Sequence, residues 1–459
     1  MRARSIDEAE PAGGADALEM PQIRQAQAAW ASRPVRERVT VLDRARQALA
    51  RDAERLAGLT AAAADRDLAY TLAAELLPLL DAFRWLRRRA PALLAEERPG
   101  SGRPLWLFGV RLRLRRDPFG VVLVIAPGNY PLLLAGVQTA QALAAGNAVL
   151  VKPAPGCAAP MQMLAAALAE AGLPAGVLTV LDDTPAAATA IIAAGVDKVV
   201  LTGGIETGRA VLGELAPRVV PAVMELSGAD ALLALPSARL DLVADAVAFG
   251  IGLNGGRTCI APRWVFAPDL HLGELEQALT SRLNRLPAGP GSERAAHLVR
   301  DALARGARLV VGAPDASRPA LLADVPAEAA ISGADIFAPL AVLRPYASLE
   351  AAVEAINATR YGLGASVFGA RAEAERVAEL LDVGCVTVND VIAPTADPRL
   401  PFGGRRASGF GVTRGAEGLL EMTRVKAIAS RRPGRLPHLS GRRLSVRAWL
   451  RLIRLLHWR

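Results

Sequence analysis

Val121-Val122-Leu123-Val124-Ile125-Ala126-Pro127-Gly128-Asn129-Tyr130-Pro131 opens the part of the chain that decides its fold. Its first five residues form a short apolar run, and Pro127-Gly128 ends it. A small-residue helical stretch follows from Leu132 to Ala145, and the cycle then repeats. Ala148 to Val151, Val177 to Val180 and Lys198 to Leu201 read as further strands, with Pro160 to Ala171 as another helix. Short apolar strands alternating with helices of this length imply βαβ units and a parallel sheet covered on both faces. Nucleotides bind at the carboxyl ends of such strands. A second α/β block runs from near Ser227 to about Gly415, with Ala307 to Gly312 and Gly384 to Asn389 among its strands. Upstream, Ala26 to about Ala95 carries apolar and charged residues at helical spacing and reads as scaffold. Leu105 to Arg115 alternates apolar and basic residues, the period of a strand with one wet face.

Composition narrows the function classes. The chain has 459 residues, of which 52% are hydrophobic and 22% charged, enough for two or three globular domains with sizeable cores. Three cysteines and four histidines are too few and too scattered for a disulfide framework or a metal cluster. A reducing cytoplasm and a metal-free site follow. The amino terminus lacks a basic segment leading into an apolar run and does not read as a secretory signal. The uncharged stretch from Pro118 to Val151 is broken by Pro127, Gly128, Asn129 and Pro131 and again by Gly146-Asn147, so each piece falls short of a membrane span. The net charge of +9 is concentrated in the nine arginines from Arg431 to Arg459. The body is close to neutral, which argues against nucleic acid as a partner.

Cys259 lies behind a glycine pair in Asn254-Gly255-Gly256-Arg257-Thr258-Cys259-Ile260-Ala261-Pro262. Glycine leaves room for close approach and permits turns that other residues resist. A thiolate attacks carbonyl carbon, and a carboxylate such as Glu225 in Met224-Glu225-Leu226-Ser227-Gly228 can activate the water that releases the product. Asn129 reads either as a turn former or as an amide donor to an oxyanion.

Seven segments in one order resemble the aldehyde dehydrogenase superfamily. They are Ala126 to Pro131, Val151 to Ala154, Leu201 to Gly204, Met224 to Gly228, Asn254 to Pro262, Asp335 to Pro339, and Pro401 to Gly404 with Ser408 to Gly411. The resemblance is closest to the class of fatty and aromatic aldehyde dehydrogenases. It implies an α/β protein with a Rossmann-like cofactor-binding domain (residues 1–99 and 119–226) and an α/β catalytic domain (227–423). It also implies a small β oligomerisation element (100–118 and 424–433), leaving a basic amphipathic tail (434–459).

The resemblance makes Cys259 the nucleophile, Asn129 the oxyanion donor and Glu225 the base that hydrolyses a thioester. The implied reaction is NAD(P)-dependent oxidation of an apolar aldehyde, aliphatic or aromatic, to its acid. A CoA-acylating enzyme and a catalytically retired, membrane-attached binding protein are the competing readings; Glu225 argues against the first and the intact trio against the second. For NAD or NADP the implied residues are Lys152, Thr202, Gly203, Gly204, Gly208, Asp335 and Phe337, with no metal. Gly204 stands where many relatives carry serine, and Asp335 where they carry glutamate. Pro155 replaces a glutamate that accepts from the adenosine ribose in NAD-preferring relatives, so NADP is expected to be tolerated or preferred. Phe249, Ile251 and Leu253 are candidates for an apolar tunnel or for helix core. The implied partners are a small-molecule aldehyde and a second copy of the chain, as homodimer or homotetramer. Leu444 to Trp458 forms a helix with Arg443, Arg447, Arg451 and Arg454 on one stripe. That pattern suits either peripheral contact with an anionic membrane or packing on another subunit.

Overall fold

The computed structural model describes residues 19–459 except 101, 103, 105, 106, 108, 289, 290, 434–444, 458 and 459. The amino-terminal segment read above as lacking a signal therefore lies almost wholly outside the described residues, as do Arg443 and Trp458 of the tail.

Two compact units are present: residues 1–94 with 117–424, and residues 95–116 with 425–459. The larger contains two sheets. The first has six strands in the order Gly409–Phe410, Ala222–Glu225, Lys198–Thr202, Val121–Ile125, Ala148–Lys152, Leu178–Val180. All neighbours in it are parallel except Gly409–Phe410, which runs antiparallel to Ala222–Glu225. Every residue of Val121–Ile125 and Ala148–Lys152 is buried, which explains why these strands read as unbroken apolar runs rather than as alternations. From Val121–Ile125 the chain adds strands on one side, then returns to add Lys198–Thr202 on the other. That reversal opens a crevice at the carboxyl ends of these two strands.

The helices Met20–Ser32, Val35–Arg51, Ala53–Ala64 and Leu77–Leu93 match the scaffold reading. They bury Trp30, Leu42, Phe83 and Leu79 against the helix Leu133–Ala145, all of whose residues are buried. Small residues are required at that contact: a side-chain carbon on Gly136 would stand 2.8 Å from Leu79. Contacts this close leave no room for a larger residue in a close-packed interior.

The second sheet has seven strands, Cys385–Val388, Gly364–Phe368, Asp230–Ala234, Pro262–Pro268, Leu340–Tyr346, Ala320–Ala323 and Arg308–Val311, the last antiparallel to its neighbour. Apolar clusters cover it on both faces.

In the smaller unit Arg111–Pro118 and Thr423–Ser430 form a two-stranded sheet. The alternation beginning at Leu105 predicted an earlier start. Leu105, Trp106 and Phe108 of that reading lie outside the described residues, while Val110 N–H donates to Leu107 O at 3.0 Å and Gly109 has φ 83°, so the described strand starts at Arg111. Helix Val446–His457 exposes Val446, Trp449, Leu450, Ile453 and Leu455, and carries Arg447, Arg451 and Arg454. No helix among the described residues is long and apolar enough to cross a membrane.

Candidate active site

The crevice at the sheet reversal supplies most of the site. Asn129 lies on the loop after Val121–Ile125, Thr202 ends the adjacent strand, Lys152 ends Ala148–Lys152, and Glu225 ends Ala222–Glu225. From the second block comes Cys259, just after a 3-10 turn at Leu253–Gly256 in which Asn254, Gly255 and Gly256 have φ of 52°, 60° and 74°. Gly256 cannot be replaced there, because a side-chain carbon would stand 2.2 Å from the Ala338 carbonyl carbon. One cavity of about 320 Å³ is lined by Gly128, Asn129, Thr202, Gly203, Gly204, Glu225, Cys259, Asp335 and Phe337, together with Leu134, Leu226, Leu363, Phe402, Arg294 and Arg414.

Asn129 is held from three sides. Its carbonyl accepts from Arg66 Nη1 at 2.8 Å and from Asn254 Nδ2 at 2.9 Å. Its side-chain Oδ1 accepts from Tyr130 N–H at 3.1 Å, and its Nδ2 donates to Arg257 O at 3.0 Å. These bonds fix which end of the amide is nitrogen and leave its second N–H uncommitted. The turn-forming and donor readings of this residue are thus compatible.

Cys259 is half-buried, and Ile260 N–H donates to its sulfur. Loss of water around the thiol pushes its pKa up to about 12, with the Asp230 and Glu225 carboxylates adding to the rise and Arg414 opposing it. The free thiol is therefore the resting form at neutral pH.

Glu225 is 3% exposed. Its Oε2 accepts from Thr202 Oγ1 at 3.0 Å and Gln138 Nε2 at 3.4 Å, and its Oε1 accepts from Thr413 Oγ1. Burial raises its pKa, and the Arg414 charge with the two hydroxyl donors pulls the other way. Sequence reasoning missed Gln138, Thr413 and Arg414. Arg414 is itself anchored, donating to Thr395 O at 2.5 Å and stacking over the Phe402 ring.

The residues assigned to a dinucleotide fit one. Gly204 lines the cavity and precedes helix Ile205–Leu215 without any side-chain cap, and nothing lies within 4 Å of where its side chain would begin, which leaves room for an anion at that helix N-terminus. Lys152 is 6% exposed, and among the described residues its ammonium makes no hydrogen bond or ion pair. Gly208 does not reach the cavity. It lets the helix approach the strand, since a side-chain carbon there would stand 2.8 Å from Leu226.

The structure divides the alternatives left open for the residues that precede the nucleophile. Ile251 is fully buried in the core and Phe249 is 45% exposed, and neither they nor Leu253 line the cavity. An apolar cleft lies elsewhere, lined by Pro78, Ala82, Trp85, Leu86, Leu133 and Val137, and it shares Arg414 with the Cys259 cavity. Pro155 itself brings no carboxylate to its turn. Asp183 supplies one, accepting from Gly156 N–H at 2.7 Å.

Comparison with known proteins gives a consistent picture. The model of the aldehyde dehydrogenase family matches residues 9–428. A 4,4'-diapolycopene aldehyde oxidase from a Methylomonas species is 31% identical over 422 residues, covering 88% of this chain and 79% of the relative. A putative NADP(+) succinate-semialdehyde dehydrogenase from Mycolicibacterium smegmatis is 32% identical, covering 92% and 86%. The NAD+ complex structure of an aldehyde dehydrogenase from Bacillus cereus superposes with a TM-score of 0.82 at 25% identity, covering 90% and 89%.

Proposed function

The chain belongs to the aldehyde dehydrogenase family, and from that premise we propose that it oxidises an apolar aldehyde, aliphatic or aromatic, to the free carboxylic acid through Cys259. It is an NAD(P)-dependent enzyme, as its family is. The observation that carries the finer reading is the shared cavity of Asn129, Glu225 and Cys259, beside an uncapped helix N-terminus.

Cys259 Sγ adds to the aldehyde carbon while its proton passes to solvent water in the open cavity as the S–C bond forms and the carbonyl π-bond becomes the oxyanion, because burial disfavours a standing thiolate. The second N–H of Asn129 Nδ2 and the Cys259 backbone N–H donate to the oxyanion of the thiohemiacetal. Lys152, Thr202, Gly203, Gly204, Asp335 and Phe337 would hold the coenzyme, which would supply the acceptor for the hydride whose loss leaves a thioester on Cys259. Glu225 takes a proton from water, and the resulting hydroxide displaces Cys259 to give the acid. Its raised pKa makes it a stronger base than an exposed carboxylate.

The apolar preference is supported by Leu134, Leu226, Phe337, Leu363 and Phe402 around the nucleophile. Arg294 and Arg414 are the cationic exceptions, and Arg414 is already engaged. A panel of medium-chain aliphatic aldehydes, benzaldehyde and succinate semialdehyde, followed by NAD(P)H absorbance, tests the assignment. Higher kcat/KM for the apolar members is expected. A clear preference for succinate semialdehyde would overturn the substrate class, and no turnover with any member would overturn the activity.

The enzyme is proposed to work in the cytoplasm as a homodimer or homotetramer built through the sheet of Arg111–Pro118 and Thr423–Ser430. Light scattering that gave a monomer mass would reject that. The exposed apolar face and arginines of Val446–His457 support peripheral contact with anionic lipid. Flotation with anionic vesicles unchanged by truncation after Pro433 would remove this role.

A further inference from the structure

The adenosine side of the crevice holds more negative charge than the sequence motifs suggest. Strands Ala148–Lys152 and Leu178–Val180 are parallel neighbours, with Val151 paired to Val180 and Leu181 N–H donating to Val151 O at 2.8 Å. Their carboxyl ends therefore emerge side by side, Lys152 from one and Asp182-Asp183 from the other. The fields of both carboxylates reach the Lys152 ammonium, with Asp183 the larger influence.

The two aspartates are differently committed. Asp182 is exposed and turns onto its own loop, accepting from Thr184 N–H at 2.8 Å. Asp183 is half-buried and reaches across to the Pro155-Gly156 turn, where its Oδ2 accepts from Gly156 N–H at 2.7 Å. Its Oδ1 has no hydrogen bond among the described residues. One carboxylate oxygen thus anchors the side chain while the other stays free near a nearly buried, unpartnered ammonium. Pro155 offers no polar side chain of its own. In nucleotide-binding α/β folds an acid near the adenosine ribose accepts from the 2′-hydroxyl. The same acid opposes a 2′-phosphate by like-charge repulsion.

We propose that Asp183 determines coenzyme choice, accepting from the adenosine 2′-hydroxyl of NAD and repelling the 2′-phosphate of NADP from the strand next to the one that carries Lys152. This rests on the reading that Lys152 and Thr202 to Gly204 hold a dinucleotide. It reverses the preference that Pro155 alone suggested. The anchored carboxylate does the discriminating; Asp182, spent on Thr184, contributes little.

Calorimetric titration of the full chain with NAD+ and NADP+, in the absence of aldehyde, tests this directly. The wild type should bind NAD+ at least about tenfold tighter. Asp183→Asn keeps an oxygen for Gly156 N–H and removes the charge, so it should close most of that gap, chiefly by tightening NADP+. Asp183→Ser is a second variant with the same expected direction, and Asp182→Asn should leave the ratio within about threefold of wild type. The wild-type discrimination should also shrink as salt is raised. Tighter binding of NADP+ by the wild type, or an equal change in both constants for Asp183→Asn, would overturn the proposal. Failure of the wild type to bind either coenzyme would remove the dinucleotide reading along with it.

Discussion

Glu225→Gln separates the two halves of the reaction. The amide has the shape of the carboxylate it replaces. Its oxygen can still accept from one of the two hydroxyls, and the other hydroxyl can rotate to accept from the new NH2. The loss of one good acceptor geometry in this buried cluster is worth about 1 kcal/mol of stability. Catalysis should suffer far more. A positioned general base contributes about 10²- to 10⁴-fold, or roughly 3–5 kcal/mol of barrier. If Glu225 serves only the water step, the variant still forms the thioester and stalls there. Rapid mixing with aldehyde and coenzyme should show a burst approaching about one NAD(P)H per active site, followed by turnover at least about 100-fold slower than wild type. Intact mass measurement should find the acyl group on the protein during the slow phase. Steady turnover within about threefold of wild type would refute the assignment of Glu225 as the base. Loss of the burst itself would mean that the carboxylate is also needed to take the Cys259 proton. Restoration of turnover by added CoA would show that a thiol can replace activated water at the same thioester.

Other expectations follow from the same geometry. Asn129→Ala should lower kcat by about 10²- to 10³-fold by removing an oxyanion donor. Coenzyme affinity measured by titration should stay within about threefold, and an unchanged kcat would leave Asn129 as a turn former only. Because burial holds the Cys259 thiol at about 12, its carbamidomethylation by iodoacetamide in the coenzyme-free enzyme should rise about tenfold per pH unit from neutral pH to about pH 10. A plateau near neutrality would show a standing thiolate instead. The acidic limb of the kcat profile should lie above the ordinary glutamate value of 4.5, because Glu225 must be ionised to act and burial raises its pKa. Activity is then present above that raised pKa and lost as pH falls through it. A limb at or below about pH 4.5 would contradict the buried position.

The strands were legible because parallel strands covered on both faces have to be apolar at every position, and glycine or proline must end them. Val121–Ile125 and Ala148–Lys152 are read correctly on that ground to within a residue. Gly109 and Val110 deceived because a turn can carry the same two-residue alternation by chance over so short a span. Cys259 was visible through its glycines, whose positive φ angles the structure requires. Phe249, Ile251 and Leu253 were not separable into core and cavity, since the face a helix presents depends on what packs against it. The surroundings of Glu225 left no local signal at all: Gln138 and Thr413 lie 87 and 188 residues away in sequence. Asp183 was hidden for the same reason, being adjacent to Pro155-Gly156 only through strand pairing.

The deepest illegible feature is the support of Asn129. Arg66, on the loop after helix Ala53–Ala64, and Glu75, in the π-helical turn Leu72–Leu76, belong to the scaffold region and form a buried ion pair. Arg66 donates to Asn129 O, while Glu75 Oε2 accepts from Leu132 and Leu133 N–H at 2.7 and 2.8 Å, at the start of the helix that follows the Asn129 loop. One pair of charges therefore ties the proposed oxyanion donor to a segment that sequence patterning assigns to scaffold alone. Removing one partner of such a pair strands the other without solvent, which typically costs about 3–5 kcal/mol. Arg66→Met should accordingly lower the denaturation midpoint. If Arg66 also positions the loop, kcat at temperatures where the variant is fully folded should fall while coenzyme affinity holds. Since a misplacement of about 1 Å can cost about 100-fold in rate, a folded Arg66→Met enzyme with wild-type kcat would confine the pair to stability. A folded enzyme with selectively reduced kcat would make the scaffold part of the catalytic geometry.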